Sequence, residues 1–234
     1  MASERTGARN DAGVAGFLFD LDGTLVDSVY QHVLAWHEAL SAEGIELAVW
    51  RIHRRIGMSG GLFTNALLRE TNVEMSEERR KRLRDMHATT YRSHAGQVRP
   101  LPGARELLDY LTARNVPWAI ATSGRMESAR VTISKLGLDA LKIPTVTRDQ
   151  VRYAKPDPDL FLAAADRLKI DIHKSVVVGD SVWDLLAARR AGALGVGLLS
   201  GGYGQDELER AGAYRVYEDP KDLLNHLDEV GVRR

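Results

Sequence analysis

The sequence predicts a doubly wound α/β domain, a parallel sheet covered by helices on both faces, with an all-helical module inserted after the first strand. From Pro100 onwards, short apolar runs alternate with helical segments of about 10 to 12 residues, the rhythm of right-handed crossovers between parallel strands. The first run, Val14-Ala-Gly-Phe-Leu-Phe19, stops abruptly at Asp20-Leu-Asp-Gly-Thr24, as a buried parallel strand does, and leaves the acids at its carboxyl end. Between Ser28 and Tyr91 the apolar residues recur instead at helical spacing, and no convincing strand interrupts them.

In chain order, residues 1–13 form a polar leader without an apolar stretch, so neither a signal peptide nor an anchor is expected. Residues 14–27 open the α/β core, residues 28–96 form the helical cap, and residues 97–234 complete the core. In the cap, Val33, Leu34, Trp36, His37 and Leu40 mark one helix, and Leu62, Ala66 and Leu67 a later one. Gly57-Met-Ser-Gly-Gly61 breaks the helical region, and Ser76 followed by two glutamates caps another helix. Trp36 reads as cap core.

Pro100 and Pro102 mark the return to the core. Helices are then expected over Ala104–Ala113, Met126–Leu136, Asp159–Leu168, Val182–Ala191 and Lys221–Leu227. Strands are expected over Pro117–Thr122, Ile143–Thr147, Ser175–Gly179, Leu194–Leu199 and Tyr214–Tyr217.

Composition narrows the function. The 234 residues allow one large domain or one with a smaller companion. Lys and Arg number 32 and so do Asp and Glu, which removes the bulk electrostatic case for nucleic acid or an anionic membrane surface. With 44% hydrophobic and 27% charged residues, the chain reads as an ordinary globular protein, a monomer or homodimer. The absence of cysteine excludes disulfides, thiol nucleophiles and thiolate metal sites, and it fits a cytoplasmic address. No apolar run approaches the roughly 18 residues of a spanning helix.

Ligands of an open parallel sheet bind beyond the carboxyl ends of its strands, and four such ends carry polar residues. They are Asp20 and Asp22; Thr122, Ser123 and Gly124; Lys155 in a following loop; and Asp180 and Asp184. Carboxylates crowded together stay ionised only around a cation, and all-oxygen ligands suit Mg²⁺. A hydroxyl, backbone N–H groups and an ammonium beside that ion form an anion site suited to phosphoryl transfer.

With these four motifs in order, the chain resembles the haloacid dehalogenase superfamily of phosphohydrolases, in the helical-cap branch that includes phosphoglycolate phosphatases and β-phosphoglucomutases. The resemblance implies that Asp20 is the nucleophile and becomes an aspartyl phosphate. It implies that Asp22 protonates the leaving oxygen and then deprotonates water, its main-chain carbonyl binding Mg²⁺. Thr122, Ser123, Gly124 and Lys155 would hold the phosphate, and Asp20, Asp22, Asp180 and Asp184 would make up the metal site. Plainer roles exist for some of these residues. Thr122 and Ser123 also suit a helix cap, and Asp184 suits the first turn of a helix without any metal.

Other features carry less. Gly195-Val-Gly-Leu-Leu-Ser-Gly-Gly202 reads as a strand and its turn rather than a dinucleotide loop, and Arg79-Arg-Lys-Arg82, interleaved with acids, as a solvated face. Asp22 argues against a dehalogenase, and the lack of lysine before Lys81 argues against a Schiff-base phosphonate hydrolase.

The expected function is Mg²⁺-dependent hydrolysis of a small phosphorylated metabolite. His32, Arg51, Arg54, Arg55 and the Gly57–Gly61 loop are the candidate cap contacts. A sugar-phosphate mutase is the main alternative, because His32 and Trp36 match the start of a β-phosphoglucomutase cap; the arginine that mutases carry after Gly-Val-Ser is missing from Gly57-Met-Ser-Gly60. A phosphate-sensing, receiver-like module is the non-enzymatic alternative.

Overall fold

The computed structural model describes residues 16–71 and 75–232. The polar leader and the start of the first strand at Val14 lie outside the described residues.

Strand β1 (Gly16–Phe19) runs into the acidic loop, and β2 (Val26–Asp27) follows it. Four helices come next: α1 (Val29–Ala42), α2 (Val49–His53), α3 (Gly60–Thr71) and α4 (Glu77–His94). Ser76 caps α4 by accepting the Arg79 N–H at 3.3 Å. Strand β3 (Arg99–Pro100) pairs antiparallel with β2, so the chain leaves for the helical module and returns from it side by side. The module has its own core, in which Val33, Leu40, Ile52, Phe63, Leu67 and Leu83 are buried. Each fully buried side chain of this size contributes about 1.5–3 kcal/mol.

The rest alternates as the sequence predicts, with one addition: a helix over Gln205–Ala211, between the last two strands, that the sequence pattern does not predict. It comprises α5 (Ala104–Ala113), β4 (Trp118–Thr122), α6 (Met126–Lys135), β5 (Thr145–Thr147), α7 (Asp159–Leu168) and β6 (Ser175–Gly179), then α8 (Val182–Ala191), β7 (Leu194–Leu198), α9 (Gln205–Ala211), β8 (Ala213–Tyr217) and α10 (Pro220–Asn225). The sheet has the order β5-β4-β1-β6-β7-β8, and every pairing is parallel. Side chains alternate across β1: Phe17 and Phe19 pack with α5 and α6, while Leu18 packs with α7 and α8 on the opposite face. Chain order runs outward from β1 in both directions, so a crevice opens at the carboxyl ends of β1, β4 and β6.

Two expectations change in detail. β5 is shorter than the expected Ile143–Thr147, because Asp139 accepts the N–H groups of Leu141, Lys142 and Ile143 and holds them in a turn. The last helix starts at Pro220, capped by Asp219, and ends at Asn225; Leu227–Val230 forms a 3₁₀ turn. Among the described residues no helix is long and apolar enough to cross a membrane.

Candidate active site

Asp20 leaves β1 buried, its N–H bonded to the Val178 carbonyl at 2.9 Å. Asp180 and Asp184 reach it from the end of β6 and the first turn of α8. One carboxylate oxygen from each of Asp20, Asp180 and Asp184 lies within 4.8 Å of the others. Backbone without side chains makes room for them. A Cβ on Gly179 would collide with Asp184, and a Cβ on Gly201 would collide with Asp180. Gly23, at φ +84°, folds the loop after β1 so closely over Asp180 that a Cβ would collide there too. Thr24 Oγ1 donates to Asp180 Oδ1 at 2.8 Å, and the Ser181 N–H donates to Asp184 Oδ2 at 3.1 Å.

Lys155 is fully buried and pairs with Asp20 Oδ1 and, at 2.8 Å, with Asp184 Oδ1. Its ammonium therefore sits on the Asp20–Asp184 side, while Asp180 faces Thr24. With all three carboxylates ionised against one ammonium, two negative charges would remain in a buried pocket, an excess that a divalent ion with oxygen ligands matches.

Burial, opposed by Lys155 and reinforced by Asp184, pushes the Asp20 carboxyl up to about 7. Burial and the neighbouring Asp184 and Asp20 hold Asp180 well above the usual carboxylate range. Burial would lower Lys155, but Asp184 and Asp20 outweigh it and raise the ammonium to about 12. The cluster is an acid trap that takes up protons when no cation is there.

Asp22 points the other way, towards the helical module. Its Oδ1 accepts from Ser28 Oγ at 2.7 Å and from Tyr91 Oη at 3.4 Å, and it lies 3.3 Å from His32 Nε2. Burial works to raise the Asp22 carboxyl, yet the charge and hydrogen bond of His32, with that of Ser28, bring it below the ordinary value. His32 Nδ1 lies 3.1 Å from His87 Nε2, and burial, then His32, hold His87 well below the usual imidazole range. Neutral His87 stacks on Trp36, with ring centroids 4.2 Å apart, and Trp36 stacks on Phe63 at 4.1 Å.

Asp20 and Asp22 open into a cavity of about 710 Å³ whose sheet side is formed by Thr122, Ser123 and Gly124. The Gly124 N–H donates to Thr122 Oγ1 at 3.0 Å, leaving that hydroxyl its own proton to donate.

Most of the expected residues therefore meet, in two groups. Asp20, Asp180, Asp184 and Lys155 share the acidic pocket; Asp22, Thr122, Ser123 and Gly124 line the cavity beside it. The Asp22 side chain is not part of the acidic cluster.

On the cap side, His32, Arg55 and the glycine loop line the cavity, although the Arg55 guanidinium is paired with Glu70. Arg54 is a correction. It turns away from the cavity, pairs with Glu207 of α9 and lies 4.1 Å over the Tyr203 ring, so it bridges the helical module to the core. Arg51 likewise pairs with Glu70, outside the cavity wall. His87, Tyr91, Arg84, Arg92, Arg125 and Arg148 are cavity residues that sequence reasoning missed. The spacing of His32 and Trp36 on α1 and of His87 and Tyr91 on α4, four residues each, was the available signal.

Comparison with known proteins agrees with this geometry. The family model described as haloacid dehalogenase-like hydrolase matches residues 14–192. Hexitol phosphatase A of Escherichia coli is 34% identical over 179 residues, covering 76% of this chain and 79% of the relative. A phosphoglycolate phosphatase of Agrobacterium fabrum is 29% identical, covering 79% and 80%. The crystal structure of a hydrolase from Pseudomonas syringae superposes with a TM-score of 0.92 at 58% identity, covering 93% of this chain and 99% of that one. With a matching family model, a parallel-sheet crevice that gathers the expected acids and lysine, and phosphatases among its relatives, the chain belongs to the haloacid dehalogenase-like hydrolase family, as a phosphatase.

Proposed function

We propose that the protein is a Mg²⁺-dependent phosphatase of a small phosphorylated metabolite, acting through an aspartyl phosphate on Asp20. One observation carries the reading: Asp20 is at once part of a three-carboxylate cluster, paired with buried Lys155, and open to the cavity that Asp22 also lines. The relatives that act on hexitol phosphates and phosphoglycolate support a small substrate.

In this reading residues 28–96 are the cap over a core formed by 14–27 and 97–234, and it excludes water from the closed site. Asp20, Asp180, Asp184 and the main-chain carbonyl of Asp22 would hold the metal. When bound, Mg²⁺ would offset the negative charge gathered on the phosphate and on Asp20.

The residues of the chain do the rest. Thr122 and Ser123 hydroxyls and the Lys155 ammonium hold the phosphoryl oxygens. The Asp20 carboxylate attacks phosphorus, the ester bond breaks, and the leaving oxygen takes a proton from Asp22. A water then gives its proton to Asp22 as it attacks the phosphorus, which frees Asp20 and inorganic phosphate. In the arrangement described here Asp22 is ionised, the form that the second step needs. The first step needs it protonated.

A cytoplasmic monomer or homodimer belongs to the same proposal. The mutase alternative has the His32–Asp22 contact in its favour, but Arg84 and Arg92, the cap arginines after Gly57 that line the cavity, are paired with Glu77 and Glu127.

Asp20→Asn is expected to abolish Mg²⁺-dependent release of phosphate from p-nitrophenyl phosphate while leaving the thermal unfolding transition in place. Substantial residual hydrolysis by a folded variant would remove Asp20 from the nucleophile role. Conversion of a hexose 1-phosphate to the 6-phosphate faster than phosphate appears would favour the mutase.

A further inference from the structure

The cavity carries more positive charge than the phosphate site uses. Away from Asp20 and Asp22 its wall holds five arginines against three acids. Four of the arginines face carboxylates: Arg55 pairs with Glu70, Arg84 with Glu77, Arg92 with Glu127, and Arg125 lies 3.9 Å from Asp149.

Arg148 is different. Among the described residues it has no carboxylate in ion-pair range, and its one side-chain hydrogen bond runs from Nη1 to the Val151 carbonyl at 2.8 Å. A guanidinium carries five N–H donors in a rigid fork. Most of that fork is uncommitted, on a half-buried side chain in a cavity wall. The adjacent Asp149 does not serve it, because its carboxylate accepts the Met126 N–H at 3.0 Å and faces Arg125.

The position is fixed to the reacting centre. β5 pairs with β4 so that Thr147 lies opposite Thr122, and the Arg148 N–H donates to the Gly124 carbonyl at 3.0 Å. Arg148 therefore stands on the sheet ledge beside the Thr122–Gly124 loop, on rigid backbone rather than on the cap. A cation held there is a preformed seat for an oxyanion in the same cavity as Asp20 and Thr122.

We propose that Arg148 is a specificity-determining residue that selects substrates carrying a second anionic group, a carboxylate or a second phosphate, besides the phosphate that reacts. The fork matches the paired oxygens of either group, and the partly dry wall strengthens the contact. A neutral polyol phosphate would leave the guanidinium without a counter-charge. The inference rests on the phosphatase reading above and deepens it.

Two substrate pairs test it on wild type, Arg148→Ala and Arg148→Lys, with Mg²⁺ at fixed ionic strength. The first pair is 3-phosphoglycerate against glycerol 3-phosphate, which differ by a carboxylate. The second is fructose 1,6-bisphosphate against fructose 6-phosphate, which differ by a phosphate. Wild type is expected to prefer the more anionic member of one pair, and the pair concerned identifies the group. Arg148→Ala is expected to lower that kcat/KM ratio roughly tenfold to hundredfold, chiefly through KM, and Arg148→Lys to keep part of it. No preference in either pair, or the same ratio in wild type and Arg148→Ala, would overturn the inference. If wild type hydrolyses no ester, p-nitrophenyl phosphate included, the phosphatase reading falls and Arg148 is judged by binding. Greater thermal protection by the anionic member, lost in Arg148→Ala, would then support it, and equal protection by both members would overturn it.

Discussion

Replacing Lys155 by methionine removes a buried cation and keeps most of its volume. The ammonium is fully buried and touches two carboxylates, and the same pocket holds Asp180. Its rise from 10.5 to about 12 corresponds to about 2 kcal/mol in favour of the charged form. That contribution is complete below pH 10.5 and is lost as the pH rises through about 12. Truncation does more, since it leaves Asp20 and Asp184 without their counter-charge, and breaking one partner out of a buried pair costs about 3–5 kcal/mol.

The metal-free Lys155→Met protein should therefore lose about 3–5 kcal/mol of unfolding free energy at pH 7.5 in urea titrations with a chelator. At pH 5 the loss should be smaller, because the carboxyls raised by burial already hold protons, and added Mg²⁺ should recover part of it at pH 7.5. A loss below about 1 kcal/mol at pH 7.5 would mean that the pair behaves like a solvent-exposed one. Equal losses at both pH values would refute the reasoning that the acids compensate by protonation.

Two further outcomes follow from the same pocket. Gly201→Ala places a methyl group on the Asp180 carboxylate, so it should cost about 1–3 kcal/mol and weaken activation by Mg²⁺, while Gly96→Ala, with open space around it, should be nearly neutral in a parallel thermal-melt and Mg²⁺ titration. Asp20 stands at about 7 in the folded, metal-free protein against 3.8 as the reference, so between those values the folded state holds a proton that the unfolded state has released, and stability falls as pH rises. Mg²⁺ must displace that proton, so it should raise the melting temperature more at pH 8 than at pH 5.5; an equal increment at both would contradict the raised value.

The parts of the fold legible in the sequence were those with a local cause. Ser175-Val-Val-Val-Gly179 is apolar throughout because both faces of β6 are covered, and it forms a strand with those bounds. Asp20 and Asp180 were legible because an acid directly after such a run has no packing role. β5 was overestimated because its first apolar residue, Ile143, is held by the Asp139 turn, a contact that periodicity does not encode.

The cap was legible as helices and hardly at all as a site. Arg54 and Arg55 are adjacent in sequence, yet one faces α9 and the other the cavity, and only the docking of the helical module on the core decides which. The stacking of His87 on Trp36 likewise depends on how α4 lies across α1. Arg148 had no signal at all, because the feature that matters is the lack of a carboxylate partner in three dimensions.

The central claim is that Asp20 itself carries the phosphoryl group. Rapid acid quench during turnover of a phosphate monoester with Mg²⁺, borohydride reduction of the acyl phosphate, and peptide mass spectrometry read the labelled position directly. The account predicts reduction of the side chain at residue 20 in the wild type and none in Asp20→Asn. Modification at Asp22, Asp180 or Ser123, or phosphate release by an enzyme that is never labelled, would contradict it.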